Sequence, residues 1–330
     1  MTDRPEKLKS ILERIKNKRV IVWGDLILDE YIYTSTGRVS REAPVLVTEW
    51  ESTAFKAGGA GNVVMNIKTL GAFPTPLAFT GAQADGLALK NILRENGITT
   101  DYLIEWEGYN PPKKSRILSG SENTRKQQIL RIDTLNRSDI EEEHYRKIEK
   151  HLRELLPQHD LLLISDYLGE SVKADLAARI RAQFPEKMII IDSRDNLLDF
   201  TGIDVATPNE LEIKKIFPNR KFQAKEDFYM AGQELIDALQ AEGIVLKRGH
   251  KGMIVFEKGR RPRDIDIHGS PDIVDVTGAG DTVIAVIGLA LAGGADLFSA
   301  ARLANIAAGI AVMKEGAYPL GFQELADELE

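Results

Sequence analysis

Apolar residues along the chain follow two patterns that take turns from near residue 19 to near residue 313: short unbroken runs, and stretches spaced three or four apart. Runs such as Val20-Ile21-Val22-Trp23 and Leu161-Leu162-Leu163-Ile164 predict parallel strands covered on both faces. Further strands are predicted over 77–80, near 102–106, and over 188–191, 203–206, 244–247, 252–256 and 263–267. Helical spacing predicts helices over 85–96 (closed by Gly97), 138–156, 174–184, 228–240, 283–291 and 297–313. Such alternation implies a doubly wound α/β fold, a mainly parallel sheet flanked by helices. Two stretches interrupt it. Residues 31–34 and 45–50, around a polar 35–44, read as a hairpin-like excursion, and 113–119 with 126–133 as a second strand pair. Together they predict a small inserted β-sheet lid, with strands at about 30–52 and 101–133.

Polar residues gather where predicted strands end: Asp25 and Asp29, Asp166, Asp192, then Thr207-Pro208-Asn209. Ligands of open α/β sheets bind at the carboxyl ends of strands, so this edge is the expected site. Asp25 and Asp29 are candidates to grip hydroxyls or, equally, to cap a turn. Two glycine-rich segments lead into helices, Lys56-Ala57-Gly58-Gly59-Ala60-Gly61-Asn62 and Asp275-Val276-Thr277-Gly278-Ala279-Gly280-Asp281-Thr282. In the second, Ile273-Val274 reads as a strand end and a buried helix follows. Gly278, Ala279 and Gly280 then lie where helix amides lack partners and the dipole is positive, a place for an anion. Asp281 stands one step on, where a base for an attacking hydroxyl is needed. A tight turn with a capping Asp is the other reading. Asn209-Glu210-Leu211-Glu212 opens a helix and places a carboxylate suited to water around a metal–phosphate complex. The turn Lys247-Arg248-Gly249-His250-Lys251-Gly252 borders a nucleotide base in this reading. Lys113, Lys114, Arg116, Arg125, Lys126 and Arg131 form either a solvated edge or a grip on a phosphate-bearing substrate.

Composition narrows the classes. Forty-three basic against 50 acidic residues give −7, a balance that offers nucleic acid or an anionic membrane no attraction. No cysteine is present, which removes disulfides and thiolate metal sites, and the five histidines lack metal-ligand spacing. The charged N-terminal stretch has no signal-peptide core, and the apolar uncharged run 282–295 is too short to span a bilayer. A soluble, cytoplasmic protein is expected. Glycines do not follow the first strand as a dinucleotide fingerprint requires, and no G-x-x-x-x-G-K-[ST] occurs, which disfavours an NAD-dependent oxidoreductase and a Walker-A kinase.

The two glycine-rich signatures, in this order, with Gly24-Asp25-x-x-x-Asp29 and Asn209-x-x-Glu212, resemble the PfkB or ribokinase-like carbohydrate kinases over nearly all of residues 19–317. The resemblance implies a single ribokinase-like domain over 1–330, with Asp281 as catalytic base and Gly278, Ala279 and Gly280 as the anion hole. It implies Asp25, Asp29, Lys56, Gly58, Gly59, Asn62, Arg116, Arg131 and Asp166 on the sugar. Asn209, Glu212, Lys247, Gly249, Gly252 and Asn305 fall to the nucleotide. ATP and Mg²⁺ are implied, the latter held by Glu212 through water, with K⁺ at Asp275 and Thr277 and a homodimer formed through the lids. Within the family the likeness is greatest to kinases acting on the anomeric hydroxyl of D-glycero-D-manno-heptose 7-phosphate, carried by residues 24–31, 38–45, 127–133 and Ser165-Asp166-Tyr167. The nucleotidyltransferase domain often fused to those kinases has no expected counterpart here. Lys56-Ala57, Leu168-Gly169-Glu170 and Asp192-Ser193-Arg194-Asp195 depart from that subfamily, leaving fructose 6-phosphate, ribose or another sugar as alternatives, with a non-catalytic sugar or nucleotide binder as a further one.

Overall fold

Residues 19–24 alternate in which face they bury: Val20 and Val22 join one apolar cluster, Ile21 and Trp23 another. Leu161 and Leu163 against Leu162 and Ile164 divide in the same way, as the twofold repeat of a strand requires when helices cover both faces. In the computed structural model, which describes residues 5–121, 126–135, 139–167, 171–269 and 274–330, these runs are the centre of the main sheet.

The chain opens with α1 (Pro5–Arg14), β1 (Arg19–Gly24), β2 (Leu26–Val39), β3 (Leu46–Gly59), α2 (Ala60–Thr69), β4 (Phe73–Gly81), α3 (Ala84–Glu95) and β5 (Leu103–Trp106). It continues through β6 (Lys113–Gly120), β7 (Gln127–Thr134), α4 (Glu142–Leu155), β8 (Leu161–Asp166), α5 (Ala174–Gln183), β9 (Met188–Ser193) and β10 (Val205–Ala206). The last part comprises α6 (Glu210–Ile216), α7 (Lys225–Leu239), β11 (Gly243–Lys247), β12 (Met253–Glu257), β13 (Arg263–Ile265), α8 (Ala279–Ala292), α9 (Leu297–Ala311) and α10 (Phe322–Asp327).

Among the described residues the main sheet has nine strands in the order β13-β12-β11-β10-β9-β8-β1-β4-β5, and the lid has four, β3-β2-β6-β7. From β11 to β5 the pairing is parallel; β12 and β13 are antiparallel additions. Helices α1, α2, α3, α8, α9 and α10 cover one face, and α4 to α7 the other. The chain leaves β1 toward β4 on one side and reaches β8 on the other, so the strand order reverses between β1 and β8, where crevices form.

The structure corrects the expected lid boundaries. Strand β5, within the predicted 101–133 lid segment, pairs with β4 in the main sheet, so that part of the lid begins at Lys113. The β2–β3 hairpin reaches from Leu26 to Gly59, beyond the predicted 30–52, so Gly58 and Gly59 end a lid strand at the mouth of α2. The expected strand end before the second glycine-rich segment is not formed at Val274, which lies in a bend; Ile273 falls outside the described residues, as do Arg125 and Leu168-Gly169-Glu170.

Candidate active site

Helix α8 begins at Gly278, whose φ of 80° a side chain would strain and whose missing Cβ leaves room for the Asn62 amide. Ala279 donates to the Val276 carbonyl at 3.3 Å, closing the turn, and the amides just after it face the open end of the helix. Asp281 follows in the first turn, 4% exposed. One carboxylate oxygen accepts from Asn62 Nδ2 at 2.8 Å, the other from the Tyr167 hydroxyl at 2.7 Å. Burial pushes the Asp281 pKa up to about 6, and the nearby Asp192 charge adds to this; hydrogen bonds from Asn62 and Tyr167, and the Lys247 charge, oppose it. A carboxylate so placed ionises near neutrality, as a general base requires.

The α2–α8 seam fixes Asn62. Asn66, one turn on, donates to the Asn62 carbonyl at 2.9 Å, while its own side-chain oxygen accepts from Thr282 at 3.2 Å and from the Leu320 amide at 3.1 Å. Asn62, expected on the sugar, thus holds the Asp281 carboxylate. Asp25, fully buried, spends both oxygens on backbone amides, Tyr167 N at 2.8 Å and Ser171 N at 2.9 Å, and so fixes the loop that carries Tyr167. Asp29 pairs with Arg116 at 2.6 Å, and a side chain at Gly58 would collide with that carboxylate. Lys56 donates to the carbonyls of Glu315 and Ala317, each at 3.2 Å. Arg131 lies on the outer strand β7, exposed and paired with Asp133, directly across from Arg116 of β6.

A cavity of about 580 Å³ opens beside Asp281, with Ala279 and Gly280 in its wall. Its polar end is built by Asp166, Tyr167, Asp192, Asn209, Glu212 and Lys247; Ile267, Val276, Ala308, Gly309 and Val312 make the other end apolar. Asp166 accepts from Ser193 at 2.7 Å. Asn209 caps α6, accepting from the Leu211 and Glu212 amides at 2.8 and 3.0 Å, and Glu212 returns a bond to the Asn209 amide at 2.7 Å. Burial raises the Glu212 pKa to about 7, with the Asp192 charge adding and Lys247 opposing. Lys247 bridges both oxygens of Asp192 at 2.8 and 2.9 Å, and its ammonium lies 3.4 Å from where a Cβ on Gly280 would stand. It therefore stands beside the helix start. Gly249 and Gly252 form the β11–β12 turn at positive φ, and Asn305 donates to the Asp266 carbonyl at 2.9 Å. Gly249, Gly252 and Asn305 all line the cavity.

Asp275 accepts from the amides of Thr277 and Gly316, each at 2.9 Å; burial works against its charge, but these bonds hold it below the usual carboxylate range. Tyr167, Asp192 and Arg194 are site residues that the candidate set omits. Asp192 was legible as a polar strand end. Tyr167 reaches Asp281 from 114 positions away, a separation no local pattern encodes.

The family described as pfkB family carbohydrate kinase matches residues 17–322. The bifunctional protein HldE of Desulfatibacillum aliphaticivorans is 34% identical over 317 residues, covering 94% of this chain and 63% of that protein. The chain thus spans a little under two thirds of that curated relative. Among solved structures, phosphofructokinase-2 from Escherichia coli in complex with potassium superposes with a TM-score of 0.74 at 21% identity, over 95% of this chain and 99% of the other. Arabidopsis thaliana ribokinase complexed with ribose and ATP gives a TM-score of 0.72 at 19% identity, over 96% and 99%. The fold is ribokinase-like.

Proposed function

Because the chain belongs to the pfkB family of carbohydrate kinases, and so is a phosphotransferase acting on a sugar hydroxyl, we propose that it transfers the γ-phosphoryl of ATP to the anomeric hydroxyl of D-glycero-D-manno-heptose 7-phosphate, giving the 1,7-bisphosphate. The observation that carries the reaction is Asp281, buried in the first turn of α8 and held by Asn62 and Tyr167, next to Gly280 and Ala279, which line the cavity that takes the nucleotide.

Asp281 accepts the hydroxyl proton as the oxygen attacks. The Gly278–Gly280 segment and the α8 dipole stabilise charge on the transferring group, and Lys247 adds a positive charge beside them. The apolar end of the cavity takes the base. The lid strands stand over the sugar and keep out water that would hydrolyse ATP. The donors present fit a divalent cation. Asp192 and Glu212 put two carboxylates in the cavity wall, and burial makes the Glu212 charge costly unless a cation comes near. Among the described residues no three His, Cys, Asp or Glu side chains cluster to hold a metal alone. Mg²⁺ would therefore be held by Glu212 and Asp192 through water and by the phosphates, supplying positive charge to the phosphate oxygens.

A sugar that already carries a phosphate is supported by the cations at the other side of Tyr167. Lys114 of the lid lies 5.4 Å above the Tyr167 ring. Burial lowers the Lys114 pKa, Asp29 opposes this, and Arg194 and Arg116 lower it further, so positive charges crowd the place where a substrate anion would sit. In this reading residues 1–330 form one kinase domain that works in the cytoplasm and pairs through its lid; among the described residues no helix is long and apolar enough to cross a membrane.

A coupled ADP-release assay with heptose 7-phosphate, fructose 6-phosphate, fructose, ribose and nucleosides tests the substrate. Highest kcat/KM on heptose 7-phosphate is expected; preference for an unphosphorylated sugar rejects it. Asp281→Asn should lower kcat by about 10² to 10⁴ while ATP still binds, and near-normal turnover would remove Asp281 from its role.

A further inference from the structure

The 315–317 segment passes directly behind the anion-binding turn. Gly316 donates its amide to Asp275, Ala317 donates its amide to the Tyr31 hydroxyl at 3.2 Å, and Ala317 lies against Gly278. Its carbonyl oxygens at Glu315 and Ala317 converge with the Asp275 carboxylate on one small region. Two carbonyls and a carboxylate are hard oxygen donors, the set that a monovalent cation takes. Here that region already holds a cation: the Lys56 ammonium, 3.2 Å from each carbonyl, with Asp275, Asp29 and Glu315 supplying the negative field around it.

We propose that the Lys56 ammonium replaces a monovalent metal ion in this enzyme. An ammonium is a compact point charge with three donors, so two carbonyls and a nearby carboxylate satisfy it as they would K⁺. The expected K⁺ at Asp275 and Thr277 does not fit. Each oxygen of Asp275 accepts a backbone amide, both carbonyls accept Lys56, and a second cation would meet the charges of Lys56 and Arg116. Burial lowers the Lys56 pKa, and the charges of Asp275, Asp29 and Glu315 oppose this. The ammonium is tethered through β3, so the lid, the 315–317 segment and the Asp275–Thr282 turn are joined without a dissociable ion.

The test measures thermal unfolding and sugar-dependent ADP release in KCl, NaCl and choline chloride at equal ionic strength. Only the activity arm rests on the kinase reading above; if no sugar is turned over in any salt, that reading fails and the melting arm still decides. The wild type is expected to melt and turn over alike in all three salts. Lys56→Met should lose about tenfold or more in kcat in choline, less than the ~10² to 10³ that follows removal of a donor touching the reacting oxygen. K⁺ or NH₄⁺ should restore part of that loss and raise its melting temperature. Lys56→Arg, which keeps the charge, should stay indifferent to K⁺. Strong stimulation or stabilisation of the wild type by K⁺ would overturn the proposal. So would a Lys56→Met enzyme that is unimpaired, or one whose loss no cation relieves. Should Lys56→Met fail to fold, the wild-type salt comparison is decisive by itself.

Discussion

If Asp281 is the base, as proposed, it and its partners set the pH behaviour one residue at a time. With Asp281 near 6 and Glu212 near 7, kcat/KM should rise with pH along an acid limb between those values, since the ionised forms are the working ones. Tyr167 donates to the ionised carboxylate and so lowers its pKa. Removing that donor in Tyr167→Phe should move the Asp281 limb to higher pH and reduce kcat with little change in the KM for ATP. A profile that keeps its midpoint would show that the hydroxyl does nothing for the base. The position of Asp281 at a helix start was readable in the sequence from the small residues before it, although locally that pattern served a capped turn equally well. Tyr167 was not, because its hydrogen bond depends on β8 ending beside α8. Asp25 illustrates a different limit. Its place at a strand end was legible, but that its oxygens serve the 167 and 171 amides is a matter of loop geometry.

At the level of elements, the seam between α2 and α8 holds the catalytic geometry. Gly278→Ala would place a methyl group against the Asn62 amide at a φ of 80°. The expected cost is on the order of 1–3 kcal/mol of stability, read as a lower melting temperature, together with a loss of kcat as Asn62 is pushed off Asp281. Unchanged stability and activity would mean that the turn relaxes freely. Long buried strands and helices were legible because their periodicity survives in the sequence. Lid strands were read too short because β2 and β3 carry irregular register near Tyr33 and Thr36 and mix polar with apolar residues on both faces. Strand β5 was read as part of the main alternation, yet the lid bounds were drawn from 101 and took it in, because four residues ahead of a Pro-Pro pair do not mark where the main sheet ends.

For the molecule as a whole, the lid is the unfinished surface. Val39, Trp50, Phe55, Leu130 and Ile132, spread over β2, β3 and β7, are all exposed, whereas a solvated lid would show charges there. Pairing with the lid of a second copy would cover them. Sedimentation should give a dimer, and Leu130→Asp with Ile132→Asp should give a monomer with weakened sugar affinity; a monomeric wild type would end that reading. The lid was legible as a sheet, but an apolar residue on a short strand does not announce whether a core or a partner covers it. The buried Asp281 also has a consequence for the balance between durability and work. An acid whose pKa is raised by folding costs stability once it ionises: the cost is absent below the unfolded value of 3.8 and complete above about 6. Inactive Asp281→Asn should therefore gain on the wild type in unfolding free energy as pH climbs through that window, by at most about 3 kcal/mol. As far as Asp281 alone goes, the fold is firmer in the acid range where the proposed base is idle and weaker at the pH where it works.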